Sequence, residues 1–284
     1  MPRIAILLFT ALCTASAADF SGSSALEFTR RAVAFGPRPA GSEANRALQA
    51  YIKSQLKLCG CEIMEDPFTA STPRGPVAMK NIIAKFPGKS GKAIALTGHY
   101  DTKVFPGFKF VGASDGGSST GALLELARAL SGRPRVDDVY IVFFDGEEAF
   151  GEWSDTDSVY GSKHVAAKWR ADGTLGRLKA LINLDMVGDA HLNIKREMNG
   201  NPALRRLFWN TAADLGYQAY FPADDTITIE DDHMPFVKLG VAAIDVIDFD
   251  YPPWHTAADT MDKVSAQSLE MVGRVTLEVV RRLE

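Results

Sequence analysis

The stretch Val139–Phe144 (VYIVFF) is apolar from end to end and runs straight into Asp145, Gly146, Glu147 and Glu148. A strand with one wet face would alternate apolar and polar residues. This one does not, so it predicts a strand buried on both sides. The runs Ala93–Thr97 (AIALT), Leu181–Met186 (LINLDM) and Val241–Ile247 (VAAIDVI) are of the same kind, and Asn81–Phe86 (NIIAKF) is a further β-like run. Helical patterns lie between and around them. Residues 25–36 and 43–59 read as helices. The second has Ala44, Leu48, Tyr51, Ile52, Leu56 and Cys59 at helical spacing, with Gly60 as its stop. Ser118, Ser119 and Thr120 offer caps for a helix through ALLELARAL. Tyr160–Trp169 and Pro202–Leu215 are helical, the latter with Pro202 in its first turn and Gly216 after it. The last segment is a long helix whose Leu269, Val272, Val275, Val279 and Leu283 form one apolar face. Strands alternating with helices predict an α/β fold, a sheet covered on both faces.

The 284 residues, 46% of them apolar, suit one sizeable domain, and no repeat or linker divides them. Arg3, the short apolar run Ile4–Cys13 and the Ala15-Ser16-Ala17 site predict a signal peptide over residues 1–17, cleaved after Ala17. Residues 18–284 are then one exported domain, periplasmic or secreted. Leu12 is larger than the small residue that lipidation of Cys13 would need. No other segment is long and apolar enough to span a bilayer. A net charge of −4 with no long basic run excludes a nucleic-acid footprint. Cys59 and Cys61 flank Gly60. A bridge across one residue is strained, while an exported compartment favours bridging, so both states stay open.

The chemistry-bearing residues cluster at strand ends. His99 and Asp101 follow one strand, and Glu147 and Glu148 another. Asp185 ends a third, His255 comes soon after a fourth, and Asp115 precedes a helix. Ligand sites of open α/β sheets gather at the carboxyl ends of strands. Each residue alone reads as a cap, a turn or a structural hydrogen bonder; together they point to one crevice. Imidazole nitrogen with carboxylate oxygen is a normal zinc environment. Neighbouring glutamates at a strand end point in different directions, so one can hold a metal while the other carries protons. Asp101 can hydrogen-bond His99 or shape its loop. Trp153 and Trp254 lie beside proposed ligands and read as pocket lining. Trp169 and Trp209 read as helix packing, His164 and His191 as structural, His233 as a hydrogen bonder and Lys103 as a loop contact.

His99-x-Asp101, Asp115, Glu147-Glu148, Asp185 and His255 resemble the metal framework of the co-catalytic zinc aminopeptidase superfamily. Further stretches resemble the animal-type glutaminyl cyclases (glutaminyl-peptide cyclotransferases) within it. These are RPAGS at Arg38, DPFTASTP at Asp66, HYDTK at His99, FFDGEEAF at Phe143, YGSKHVAAK at Tyr160, DDHMPF at Asp231 and Trp254-His255. The resemblance covers nearly all of residues 18–284. It implies a mixed, twisted central sheet with flanking helices. It implies an enzyme converting N-terminal glutaminyl residues of peptides or proteins to pyroglutamyl with release of ammonia, and glutamyl residues more slowly. It implies one zinc per chain on Asp115, Glu148 and His255, with Glu147, Asp185 and Asp231 catalytic. Trp153, Glu230, Tyr251 and Trp254 would bind substrate. His99 and Asp101 would either bind a second metal or hydrogen-bond the ligands. The protein is expected to be a monomer and a bacterial member of its family.

Departures set the alternatives. The disulfide of the animal enzymes would fall on Gly98 and Thr120 here, so it is absent. Glu230 stands where the animal enzymes have glutamine. SDGGSSTGA is closer to the peptidase form of its loop. A dizinc aminopeptidase would use the same residues, with His99 and Asp185 on a second metal and Asp115 as the bridge. A non-catalytic binding domain would have lost ligands or Glu147, and all are present.

Overall fold

The computed structural model describes residues 19–284, so the expected signal peptide and Cys13 lie outside the described residues. Its centre is a six-stranded sheet. In sequence order the strands are β1 (Glu62–Thr72), β2 (Gly75–Phe86), β3 (Ala93–His99), β4 (Asp138–Phe144), β5 (Leu178–Asp185) and β8 (Ala243–Ile247). A separate small pair is formed by β6 (Arg196–Glu197) and β7 (Thr226–Ile227). The spatial order is β1-β2-β4-β3-β5-β8. β1, β2 and β4 run antiparallel, and β4, β3, β5 and β8 run parallel, so the sheet is mixed.

Alternate residues of each strand feed two cores. Ile82, Ile94, Leu96, Ile141, Phe143, Ile182 and Leu184 pack on one face, with α1 (Gly22–Val33), α2 (Glu43–Leu56), α3 (Gly117–Leu130), α5 (Pro202–Asp214) and α7 (Ala266–Leu283). Ile83, Ala93, Ala95, Val142, Phe144 and Leu181 pack on the other, with α4 (Tyr160–Ala171) and the short α6 (Met234–Val237). Double burial is why these strands are apolar on both faces rather than at every second position, with Asn183 and Asp245 as buried polar exceptions.

Three local expectations change. Strand β1 has no apolar signature because it is the sheet edge: its side chains alternate irregularly between buried and wet, and it contains Pro67, which an edge tolerates. It pairs with β2 along its whole length, which extends β2 back to Gly75. Ser118, Ser119 and Thr120 lie inside α3 rather than capping it. Their hydroxyls donate to the carbonyls of Ser114, His99 and Gly116 instead. A Cβ added to Gly98 would stand 2.9 Å from that of Ser119, so the position facing Gly98 is Ser119, not Thr120.

Cys59 and Cys61 are free thiols, and burial pushes the Cys59 thiol up to about 11. Gly60 stops α2 and its final turn at φ +66°, a conformation costly for other residues. Among the described residues, no helix is long and apolar enough to cross a membrane.

The path of the parallel strands positions the site. From β3 the backbone passes by α3 to β4 on one side. It then returns by α4 on the opposite face to β5, on the other side of β3. The direction of winding reverses there, which opens a crevice at the carboxyl ends of β3 and β5. His99 ends β3 and Asp185 ends β5.

Candidate metal and substrate site

Asp115 stands at the centre of the crevice. On one side His99 Nε2 lies 3.1 Å from Asp115 Oδ1 and 3.1 Å from Asp185 Oδ1. On the other, His255 Nε2 lies 3.3 Å from Asp115 Oδ2 and 3.3 Å from Glu148 Oε1. Two groups with metal-ligand spacing result, His99–Asp115–Asp185 and Asp115–Glu148–His255, and they share Asp115. Asp101 belongs to neither. Its carboxylate accepts from the backbone N–H of Glu147 (3.1 Å) and of Glu148 (3.4 Å), so it builds the strand-end turn.

Buried hydrogen bonds hold Asp115 in place. Its own N–H and that of Ser114 donate to Asp259, whose Oδ1 also accepts from the Tyr251 hydroxyl at 2.6 Å. Tyr251, expected among the substrate-binding residues, is 3% exposed, packs on Met186 and Ile247 and does not line the cavity over the ligand groups. It works from beneath, through Asp259. Arg38, fully buried, reaches the same loop. Its guanidinium donates to the carbonyls of Tyr100 (2.9 Å), Val111 (2.5 Å) and Gly112 (2.8 Å).

His255 is fixed by aromatic rings: Trp254 stacks on it at 4.2 Å, and Phe105 and Phe110 meet it edge-on at 5.3 and 5.7 Å. Its backbone is left-handed (φ +54°), as is that of Met186 (φ +47°) immediately after Asp185. Such strain persists only where the surroundings impose it, and functional sites are where it collects.

The electrostatics call for a cation. Asp115, Glu147, Glu148, Asp185 and Asp231 are all buried together, facing two imidazoles. Burial works against a His255 imidazolium, yet Asp115 and Glu148 outweigh it and push that group up to about 9. Burial, opposed by His99, lifts Asp185 to about 7. Asp115 Oδ2 is buried without a hydrogen-bond donor. One nitrogen and two carboxylates around that atom suit a zinc ion, and the fit is geometric as well as chemical.

Glu147 is the crevice glutamate outside both ligand groups. Its Oε2 lies 3.7 Å from His99 Nδ1. Burial, with Glu148, Asp231 and Asp232, keeps its carboxyl well above the usual range against the pull of His99. Asp231 joins the site through Asn183, whose amide donates to Asp231 (3.1 Å) and Asp245 (3.1 Å) while accepting from Thr97 (2.8 Å). Asn183 and Asp245 are polar residues inside otherwise apolar strands, which is the signal that could have found them. Asp259 lies in no motif and carries no such signal.

A cavity of about 610 Å³ opens over these groups. Its walls include Phe105, Trp153, Glu230, Asp231, Phe249 and Trp254. Trp153 and Trp254 are 42% and 39% exposed, as lining at a pocket mouth should be. Lys103 lies against it too, its N–H donating to Glu148 at 3.1 Å and its ammonium 3.7 Å away. Two histidines away from the crevice have structural partners: His164 stacks on Phe68 beside Asp66, and His233 lies 3.3 Å from Glu197. Trp169 and Trp209 are buried in the cores.

Comparison with known proteins agrees with this geometry. The profile of peptidase family M28 matches residues 81–280. A glutaminyl-peptide cyclotransferase-like protein of Mus musculus is 30% identical over 267 residues, covering 84% of this chain and 70% of that protein. The crystal structure of an Acidobacteriales bacterium glutaminyl cyclase superposes with a TM-score of 0.90 at 41% identity, covering 97% of this chain and 99% of that one. A Zn-dependent exopeptidase from Parabacteroides distasonis superposes with a TM-score of 0.84 at 28% identity, covering 93% and 99%.

Proposed function

The chain belongs to peptidase family M28, and from that premise we propose that it is a glutaminyl cyclase. It would convert the N-terminal glutaminyl residue of a peptide or protein to pyroglutamyl. The α-amine nitrogen bonds to the γ-carbonyl carbon, the bond from that carbon to the amide nitrogen breaks and ammonia leaves; N-terminal glutamyl would release water, more slowly. The observation that carries the reading is Glu147, a buried carboxylate beside the ligand groups but outside both. It would take a proton from the α-amine and return it to the leaving nitrogen, with no enzyme nucleophile required.

Asp115, Glu148 and His255 would hold one zinc per chain. Bound there, the ion would supply a Lewis acid for the γ-carbonyl oxygen. Trp153, Trp254 and Glu230 would confine the glutamine so that the amine, rather than water, is the group in reach. Asp185 and Asp231 would hold the protons that Glu147 exchanges. The enzyme would act as a monomer, one catalytic domain over residues 18–284, exported to the periplasm or beyond after loss of residues 1–17.

A second reading is favoured by one observation: His99–Asp115–Asp185 is also intact at ligand spacing, as a dizinc aminopeptidase would need. One experiment separates the two. A short peptide beginning with Gln is incubated with the protein and weighed. Loss of ammonia from an otherwise intact peptide is the expected result. Loss of the whole first residue would replace the cyclase with the aminopeptidase.

A further inference from the structure

A second cavity adjoins the first. It has a volume of about 360 Å³ and shares Trp153, Glu230 and Asp231 with the cavity over the ligand groups. Its other walls are α4 and the segment around α6. Lys163, Ala166, Ala167 and Arg170 recur at helical spacing, so α4 presents one face to it. Val159, Ala166, Ala167, Met234, Pro235 and Leu239 make most of the remaining surface apolar. Two of its cations are already engaged. The Lys238 ammonium is 3.1 Å from Glu230, and that of Lys163 donates to the carbonyls of Asp155 (2.6 Å) and Ser158 (2.9 Å). The interior therefore offers mainly hydrophobic contact.

Trp153 lines both cavities together with Glu230 and Asp231, and it stands on a pinned loop. The Asp157 carboxylate accepts from the N–H groups of Phe150 (2.9 Å) and Gly151 (2.7 Å), closing the base of that loop. The base of the loop that carries Trp153 is thus fixed between the two cavities.

We propose that the second cavity is a subsite for an apolar side chain on the second or third residue of the peptide substrate. The proposal rests on the cyclase reading, which puts the first residue's side chain in the pocket over the ligand groups. The rest of the peptide must then leave past the rim formed by Trp153, Trp254 and Glu230. An extended peptide advances about 3.3–3.6 Å per residue, so the third residue lies roughly 7 Å beyond the first, far enough to pass one indole. An apolar side chain there leaves water for a preformed apolar wall, which is favourable without any new polar contact. The enzyme would then select among Gln-initiated peptides by their second or third residue.

The test is kcat/KM for the peptide amides Gln-Ala-Gly, Gln-Ala-Leu, Gln-Leu-Gly and Gln-Ser-Gly, read as ratios within each protein. The wild type should favour leucine over glycine or serine by about ten-fold at one of the two positions, the scale of a good hydrophobic contact. Ala167→Trp fills the cavity from an exposed position on α4, which a helix surface tolerates. That variant should bring the leucine preference down to about two-fold or less, still in the range of a lost apolar contact. No preference in the wild type, or one that Ala167→Trp leaves intact, overturns the proposal. Cyclisation of none of the four peptides would be a different result: it would remove the cyclase reading, and this subsite with it.

Discussion

Arg38→Met is the sharpest test of how the metal loop is held. Arg38 is fully buried, yet burial lowers its guanidinium only to about 10 against the support of Asp115, Asp259 and Asp101, so it is charged at neutral pH. It donates to four carbonyls on two segments, Tyr100 on one and Val111, Gly112 and, at 3.5 Å, Asp115 on the other. Methionine fills the volume but leaves those acceptors without a donor. The Tyr100 and Gly112 bonds are fully buried, and the Val111 bond is partly open to water. The two short buried bonds, at about 1–3 kcal/mol each, give roughly 2–6 kcal/mol, with smaller additions from Val111 and from the long bond to Asp115. Relief of the buried charge offsets part of it, leaving about 3 kcal/mol. With an m-value of about 3 kcal/mol/M, the urea midpoint should fall by about 1 M. Arg38→Lys keeps the charge but not the planar fork, and should lose about half as much. Zinc affinity should fall in the same order, since Asp115 hangs from this loop. A urea midpoint for Arg38→Met within about 0.2 M of wild type would refute the reasoning, because the carbonyls would then have found other donors.

Glu147→Gln should retain its metal and its thermal midpoint while losing about 10²–10⁴-fold in kcat, the usual worth of a positioned proton carrier. Near-normal turnover would take the proton transfer away from Glu147. His255→Ala should release metal on dialysis that leaves the wild type loaded, as read by elemental analysis; equal retention would remove His255 from the ligand set. In the metal-free protein, burial and Asp189 push Asp248 up to about 7. The folded state therefore binds more protons than the unfolded state between roughly pH 4 and 7, and this group's contribution to stability falls as pH rises through that window. Denaturation midpoints measured across it should decline less in Asp248→Asn than in the wild type. An unchanged slope would mean that Asp248 titrates normally.

The doubly buried strands were legible in the sequence because a strand between two cores is filled mainly by apolar residues on both of its faces. Val139–Phe144 is the clearest case. Strand β1 was not legible: at the sheet edge, half of its residues answer to water, and the pattern of Glu62–Thr72 is set by its partner β2 rather than by its own periodicity. The ligand groups were legible because histidine and acid at four strand ends are costly unless they serve something. Tyr251 was misplaced because an aromatic residue near a site can be a wall or a prop, and only the hydrogen bond to Asp259 decides. Arg38 was visible as part of RPAGS, but nothing local connects it to a loop more than seventy residues away.

The two glutamates show the same limit at its smallest scale. Glu147 and Glu148 are identical, adjacent and buried, and the sequence alone gives no reason to divide their labour. The turn does so. Gly146, at φ +69°, ends the strand, and Asp101 takes both N–H groups, so the backbone is held while the side chains diverge. Glu148 arrives beside His255 and Lys103; burial and Asp115 raise its carboxyl, and His255 and His99 offset part of that rise. Glu147 arrives among Asp231, Asp232 and Glu148, with only His99 to oppose them, where a proton is harder to lose. A carboxylate with more positive neighbours is the better metal ligand, and one crowded by like charges is the better proton carrier. On the proposed roles, the division would come from neighbours that the fold brings from four other segments, and exchanging those neighbours should exchange the roles.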